Sequence, residues 1–145
     1  MSDDPDGPEG LVVDVNNPDD IVTARQAGHH LARDLGFSLT DVTMIATAIS
    51  EVARNITSYA GRGAIRVAVA DREGRQALVV RASDDGPGIA DVERALEDGY
   101  STGRGLGLGL PGARRLMDRM FVDSAPGRGT VVEMWKWTPR DGRGR

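Results

Sequence analysis

The sequence predicts an α+β fold, and three observations carry that prediction. Two amphipathic helical patterns fill the first part of the chain, an alternating apolar hairpin follows them, and two more strand patterns close it. With 145 residues, 39% of them hydrophobic and 28% charged, the chain has room for one domain with one core.

Residues 1–10 (MSDDPDGPEG) read as a flexible acidic tail, rich in Asp, Pro and Gly. Leu11–Val15 (LVVDV) is a strand candidate. Asn17 or Asp19 then caps a helix that runs to about Leu35, because Ile21, Ala24, Ala27, Gly28, Leu31 and Leu35 recur at helical spacing and Gly36 sits at the stop. Ser38-Leu39-Thr40-Asp41 resembles a capping box and opens a second helix to about Ser58. Val42, Ile45, Ala46, Ile49, Val52, Ala53 and Ile56 form its apolar face, and Thr43, Thr47, Ser50 and Arg54 fall on the side assigned to solvent. Between them runs a third stripe of Met44, Ala48, Glu51 and Asn55. Glu51 and Asn55 stand one turn apart and point the same way, on the flank where a cleft edge belongs.

Gly61 to Gly63 ends that helix. Residues 64–70 and 77–82 form an antiparallel hairpin around the polar turn 71–76, and its second strand leads straight into Asp84. Residues 90–97 predict a short helix and 98–104 a polar loop. The last helix starts near Leu108 or Gly109, which puts Pro111 in its first turn, and Leu110, Ala113, Leu116, Met117 and Met120 make its apolar face. Strands at 121–124 and 130–137 flank the turn 125–129. Trp135 and Trp137 share one strand face, as packing or partner surface, and 139–145 read as disordered. The domain is therefore placed at residues 11–138.

Composition removes several function classes. A formal net charge of −4 argues against nucleic acid as the main partner. The absence of cysteine excludes thiolate chemistry and cysteine metal sites. The acidic start is unlike a secretory signal, and no apolar run approaches the roughly 20 residues of a membrane span, so a cytoplasmic, membrane-free protein is expected. His29 and His30 are adjacent and point to different faces, as surface residues do. Arg114, Arg115 and Arg119 read as a solvated helix face.

The 19 glycines are concentrated where a ligand site is expected. One array, Asp84-Asp85-Gly86-Pro87-Gly88, follows the hairpin; a second, Gly105-Leu106-Gly107-Leu108-Gly109, runs into the last helix. Glycines let backbone N–H groups approach a ligand, and a helix N-terminus favours an anion. A P-loop is excluded, because Lys136 is the sole lysine and follows no glycine. Gly107-x-Gly109-x-x-Gly112 matches a dinucleotide fingerprint in form only, since a polar loop precedes it and too little chain follows.

Four separated elements remain: Glu51-x-x-x-Asn55 on a helix, Asp84-x-Gly86-x-Gly88 after a strand, Gly105-x-Gly107-x-Gly109 before a helix, and Gly129-Thr130 entering a strand. In this order they resemble the boxes of the Bergerat-fold ATP-binding superfamily of histidine kinases, gyrase B and Hsp90. Within it, ISEVARNI (49–56), EDGYSTGRGLGLGLPGARRLMD (97–118), DIVTARQAGHHLARDLGF (20–37) and the terminal Lys136-Trp137 resemble the RsbT-type serine/threonine switch kinases, which are related to anti-sigma factor kinases. The resemblance implies a two-layer α/β sandwich with a mixed, mostly antiparallel sheet and helices on one face. It also implies ATP and Mg²⁺ as cofactors.

Residue roles follow from that resemblance. Asp84 accepts from the adenine amino group, and Gly86 and Gly88 leave room for the base. Asn55 holds Mg²⁺ through its carbonyl oxygen, a hard ligand for a hard cation. Glu51 is the catalytic base for the attacking hydroxyl. Gly105, Leu106, Gly107, Leu108, Gly109 and Leu110 bind phosphates at the helix start, Ser101, Thr102 and Arg104 form the lid, and Thr130 hydrogen-bonds at the base side. The implied activity is phosphorylation of STAS-domain antagonist or scaffold proteins in a stressosome-like partner-switching pathway, with a PP2C-type phosphatase regulator or a sigma factor downstream. Two alternatives stay open: an anti-sigma kinase that binds a sigma factor directly, and a nucleotide-dependent binding module without transfer. A homodimer is left open. A histidine kinase is disfavoured, because no helical hairpin bears a phosphoacceptor histidine.

Overall fold

The computed structural model describes residues 10–97 and 109–139. The expectations for 1–9, 98–108 and 140–145 lie outside the described residues. Strands β1 (Leu11–Val15), β2 (Gly63–Arg72), β3 (Arg75–Asp84), β4 (Arg119–Ser124) and β5 (Thr130–Trp137) form one sheet in the order β1-β2-β3-β5-β4. Every pairing is antiparallel, where the resemblance implied a mixed sheet.

Helices α1 (Pro18–Asp34), α2 (Leu39–Asn55) and α4 (Gly109–Leu116) cover one face of that sheet. Val13, Val15, Ile65, Val67, Leu78, Val80, Val132 and Met134 meet Ile45, Ile49 and Val52 of α2, and Ile56 just beyond it, in the main core. The strand alternation sends the other side chains to the opposite face. There Ala70, Ala77, Val79 and Trp135 make a smaller cluster with Trp137. Arg72 lies 5.1 Å over the Trp135 ring and Arg75 5.4 Å over that of Trp137. The two tryptophans do share a face, and they line an open groove with Arg119 and Phe121.

Local chemistry sets the boundaries. Asn17, not Asp19, caps α1, accepting from the Asp20 N–H at 3.2 Å, with Pro18 in the first turn. Ser38 caps α2 through the Asp41 N–H at 3.1 Å. The α-helical part of α2 stops at Asn55, short of the expected Ser58, and continues as a π-helical turn over Ile56–Ala60. The Gly61 N–H closes that turn onto the Ile56 carbonyl at 2.9 Å. Ser50, assigned to solvent from periodicity, is buried, and its hydroxyl donates to the Ala46 carbonyl at 3.0 Å.

The hairpin is longer than predicted because its turn is tight. Glu73 (φ 56°) and Gly74 (φ 81°) both adopt positive φ, and Arg72 pairs with Arg75. The short helix α3 spans only Val92–Ala95. Helix α4 ends at Leu116, so Met120 belongs to β4 and not to the helix face expected for it. The only lysine explains the stop: Lys136 Nζ donates to the Leu116 carbonyl at 2.8 Å, satisfying a C-terminal acceptor of α4. Lys136→Met keeps the aliphatic stem and strands that carbonyl. A loss of about 1–3 kcal/mol in denaturant unfolding is expected; unchanged stability would show that the Lys136 bond contributes nothing.

Candidate functional site

Helix α2 brings the Glu51 carboxylate inward, leaving it 8% exposed. Its Oε1 accepts from the Gly109 N–H at 2.9 Å and its Oε2 from Arg54 Nη1 at 2.9 Å. A carboxylate at the first residue of α4 satisfies an N–H that the helix itself leaves open, and its charge suits that end of the dipole. Glu51 is thus held at the junction between α2 and the start of the segment expected to bind phosphate. Asn55, one turn on, is half-buried at the junction of α and π turns. Among the described residues its carboxamide has no hydrogen-bond partner.

The base end of the expected site is built on three neighbouring strands. Asp84 ends β3 and stands opposite Thr130 of β5, which in turn stands opposite Ser124 of β4. Asp84 Oδ1 accepts from the Gly86 N–H at 2.9 Å, so the carboxylate is oriented by the turn it opens. A Cβ on Gly86 would lie 2.6 Å from that of Ala60, so this turn packs on the end of the π segment. The π turn thereby links the helix of Glu51 and Asn55 to the turn after Asp84.

The glycines around this turn sit against neighbouring backbone. A Cβ on Gly88 would lie 2.0 Å from the Ala125 carbonyl oxygen, and one on Gly129 would lie 2.2 Å from the Asp84 carbonyl oxygen. Both carry positive φ, 82° and 81°. Gly86 and Gly88 thus allow close approach of neighbouring protein chain. The Leu110 side chain is buried in the core, at the second residue of α4.

Gly109 is placed, at the start of α4, whereas Ser101, Thr102, Arg104, Gly105, Leu106, Gly107 and Leu108 lie outside the described residues. Two residues escaped sequence reasoning. Arg54 was assigned to solvent, and its side chain is 45% exposed, yet it pairs with Glu51. The Glu-x-x-Arg spacing signals such a pair. Ser124 accepts from the Ile89 N–H and lies 2.8 Å from both the Gly129 carbonyl and the Thr130 hydroxyl. No local pattern announces it, because the contacts depend on strand register.

The profile of the family described as histidine kinase-, DNA gyrase B- and HSP90-like ATPase matches residues 40–140. Serine/threonine-protein kinase RsbT of Bacillus subtilis (strain 168) is 52% identical over 119 residues, covering 81% of this chain and 89% of the relative. The chain belongs to the RsbT-type serine/threonine kinases of that ATPase family.

An anti-sigma F factor of Caldanaerobacter subterraneus subsp. tengcongensis is 30% identical over 126 residues, covering 81% of this RsbT-type chain and 85% of the relative. Among solved structures, the RsbU and RsbW domains of a Mycobacterium tuberculosis protein superpose with a TM-score of 0.60 at 17% identity, over 90% of this chain and 33% of that one. The catalytic domain of histidine kinase ThkA gives 0.54 at 18% identity, over 92% and 99%. These two share the fold. The α+β architecture and ATP as nucleotide, both expected from the sequence, agree with the family. Among the described residues no helix is long and apolar enough to cross a membrane.

Proposed function

We propose that this RsbT-type kinase transfers the γ-phosphoryl group of MgATP to a serine or threonine hydroxyl of a STAS-domain antagonist or scaffold protein. The observation that supports this best is the Glu51 carboxylate, buried and held 2.9 Å from the Gly109 N–H at the start of α4. The acceptor hydroxyl oxygen attacks the γ-phosphorus, the bond to the β–γ bridging oxygen breaks with release of ADP, and the hydroxyl proton goes to Glu51. Phosphoryl transfer needs positioning and charge neutralisation above all, which a domain of this size provides. Bound Mg²⁺ supplies part of that neutralisation, and Asn55 is the residue to hold it.

Asp84 is the adenine acceptor in this reading. Asp84→Asn keeps the shape of the turn but puts an N–H₂ where the carboxylate accepts. ATP affinity is expected to fall about 10- to 100-fold, and the preference for ATP over ITP to shrink, because the carboxamide can donate to the hypoxanthine oxygen. Titration of both nucleotides in the presence of Mg²⁺ checks this; an unchanged ratio would sink the assignment. Transfer itself is tested by incubating the chain with ATP, Mg²⁺ and a STAS protein from its own gene neighbourhood. Acid-stable phosphoserine or phosphothreonine is the expected product.

A second reading draws on the 30% identity to the anti-sigma F factor. There, binding of a sigma factor is the main output, and a PP2C-type phosphatase regulator is not the partner. A pull-down against both partner classes separates the two.

A further inference from the structure

We infer that Ser124 determines nucleotide specificity by fixing the direction of the Thr130 hydroxyl, an inference that rests on Asp84 being the adenine acceptor. The argument is a count of protons. A serine hydroxyl has one proton and two lone pairs. The Ile89 N–H donates to Ser124 Oγ at 2.8 Å, which uses one lone pair. The Gly129 carbonyl oxygen lies 2.8 Å away and can only accept, so it takes the single Ser124 proton. The remaining contact, to Thr130 Oγ1 at 2.8 Å, therefore has Thr130 as its donor.

That assignment spends the Thr130 proton inside the protein. Toward a ligand, Thr130 offers lone pairs alone. Its cross-strand neighbour Asp84 is a carboxylate and likewise only accepts, with Oδ1 already receiving the Gly86 N–H. The pair Asp84 and Thr130 across β3 and β5 thus presents acceptors and no donor to the base, while the Ser124 hydroxyl is fully engaged within the protein. Adenine answers the pair with an exocyclic amino group carrying two protons. At that position a purine oxygen meets lone pairs with lone pairs, and the neighbouring N1–H is the one donor such a base can offer there. A site built around one hydrogen-bond polarity rejects the opposite one far more strongly than a pocket discriminates by shape. Ser124 acts through Thr130, so it is a positioning residue.

The test is the ratio of ITP to ATP dissociation constants, measured with Mg²⁺ on the full chain for the wild type and for Ser124→Ala, Ser124→Thr and Asp84→Asn. Ser124→Ala frees the Thr130 proton to turn toward the base. The preference for ATP is then expected to fall about 10-fold, chiefly through tighter ITP binding, while Ser124→Thr restores the hydroxyl and keeps the wild-type ratio. Should Ser124→Ala not fold, Ser124→Cys replaces a strong acceptor of the Thr130 proton by a weak one, and its ratio is expected to fall in the same sense. An unchanged ratio in Ser124→Ala or Ser124→Cys, or equal weakening of both nucleotides, overturns the role of Ser124. If Asp84→Asn shifts the ratio and the Ser124 variants do not, only this inference fails. If Asp84→Asn also leaves it unchanged, the adenine assignment fails first and takes the inference with it.

Discussion

Glu51→Gln is expected to lower phosphoryl transfer by about 100- to 10,000-fold, the range over which a positioned general base contributes, while ATP binding stays close to wild type. The substitution is chosen for what it preserves. The Gln carbonyl oxygen still accepts from the Gly109 N–H, the contact made at 2.9 Å by Glu51 Oε1, so α4 keeps its cap. What is lost is the basic carboxylate and its pair with Arg54. That pair contributes little to stability, because the arginine is 45% exposed and water screens it. Glu51→Ala is a poorer probe, since it also strands the Gly109 N–H and costs roughly 1 kcal/mol in capping. Single-turnover transfer measured beside ATP affinity gives the answer, and a Gln variant that transfers at the wild-type rate would remove Glu51 from the chemistry. If the Ala variant loses ATP affinity where the Gln variant does not, the Glu51 cap of α4 also shapes the phosphate end of the site.

The division between what sequence periodicity reveals and what it hides runs through this site. Glu51 and Asn55 were legible because a 3.6-residue repeat places them on one helix stripe, and Asp84 because a hairpin strand leads into it. The caps Asn17 and Ser38 were legible from local side-chain chemistry. The π turn at Ile56–Ala60 was not, because ITSYA suits an α turn equally well and the wider turn is set by packing, with Ala60 against Gly86 and Ile56 against Gly63. Ser50 was misplaced for a related reason: periodicity counts a hydroxyl as polar, whereas a serine can return its proton to the carbonyl four residues back and be buried without loss. Met120 continued a helical pattern that Lys136 ends from another strand. Ser124 depends wholly on the β4–β5 register, in which Ser124 faces Thr130.

Gly88→Ala is expected to destabilise the fold by about 3 kcal/mol, through the strain of positive φ for a residue with a Cβ and the cost of an added methyl in filled space. For a domain of this size that lowers the melting temperature by roughly 10 °C. Gly28→Ala is the informative comparison. Its Cβ would also come within van der Waals contact, 2.1 Å from Ile49, but the atom it meets is the terminal Cδ1 of a flexible side chain. That atom can rotate away, and alanine favours the helix by nearly 1 kcal/mol over glycine, so a small net change is expected. At Gly88 the opposing atom is the Ala125 carbonyl oxygen at 2.0 Å, and backbone cannot rotate away. Relief requires the turn after Asp84 to lift from the β4–β5 turn. The Gly127 N–H to Pro87 carbonyl bond at 2.7 Å and the Ile89 N–H to Ser124 bond at 2.8 Å lie across that seam and stretch with it. Weakened ATP binding is therefore expected in Gly88→Ala well below its melting temperature, and unchanged binding in Gly28→Ala. Thermal denaturation and ATP titration on the two variants give four numbers. Equal stability losses would mean that crowding alone matters, whereas a loss confined to Gly88 shows that the glycine holds the base end of the site together.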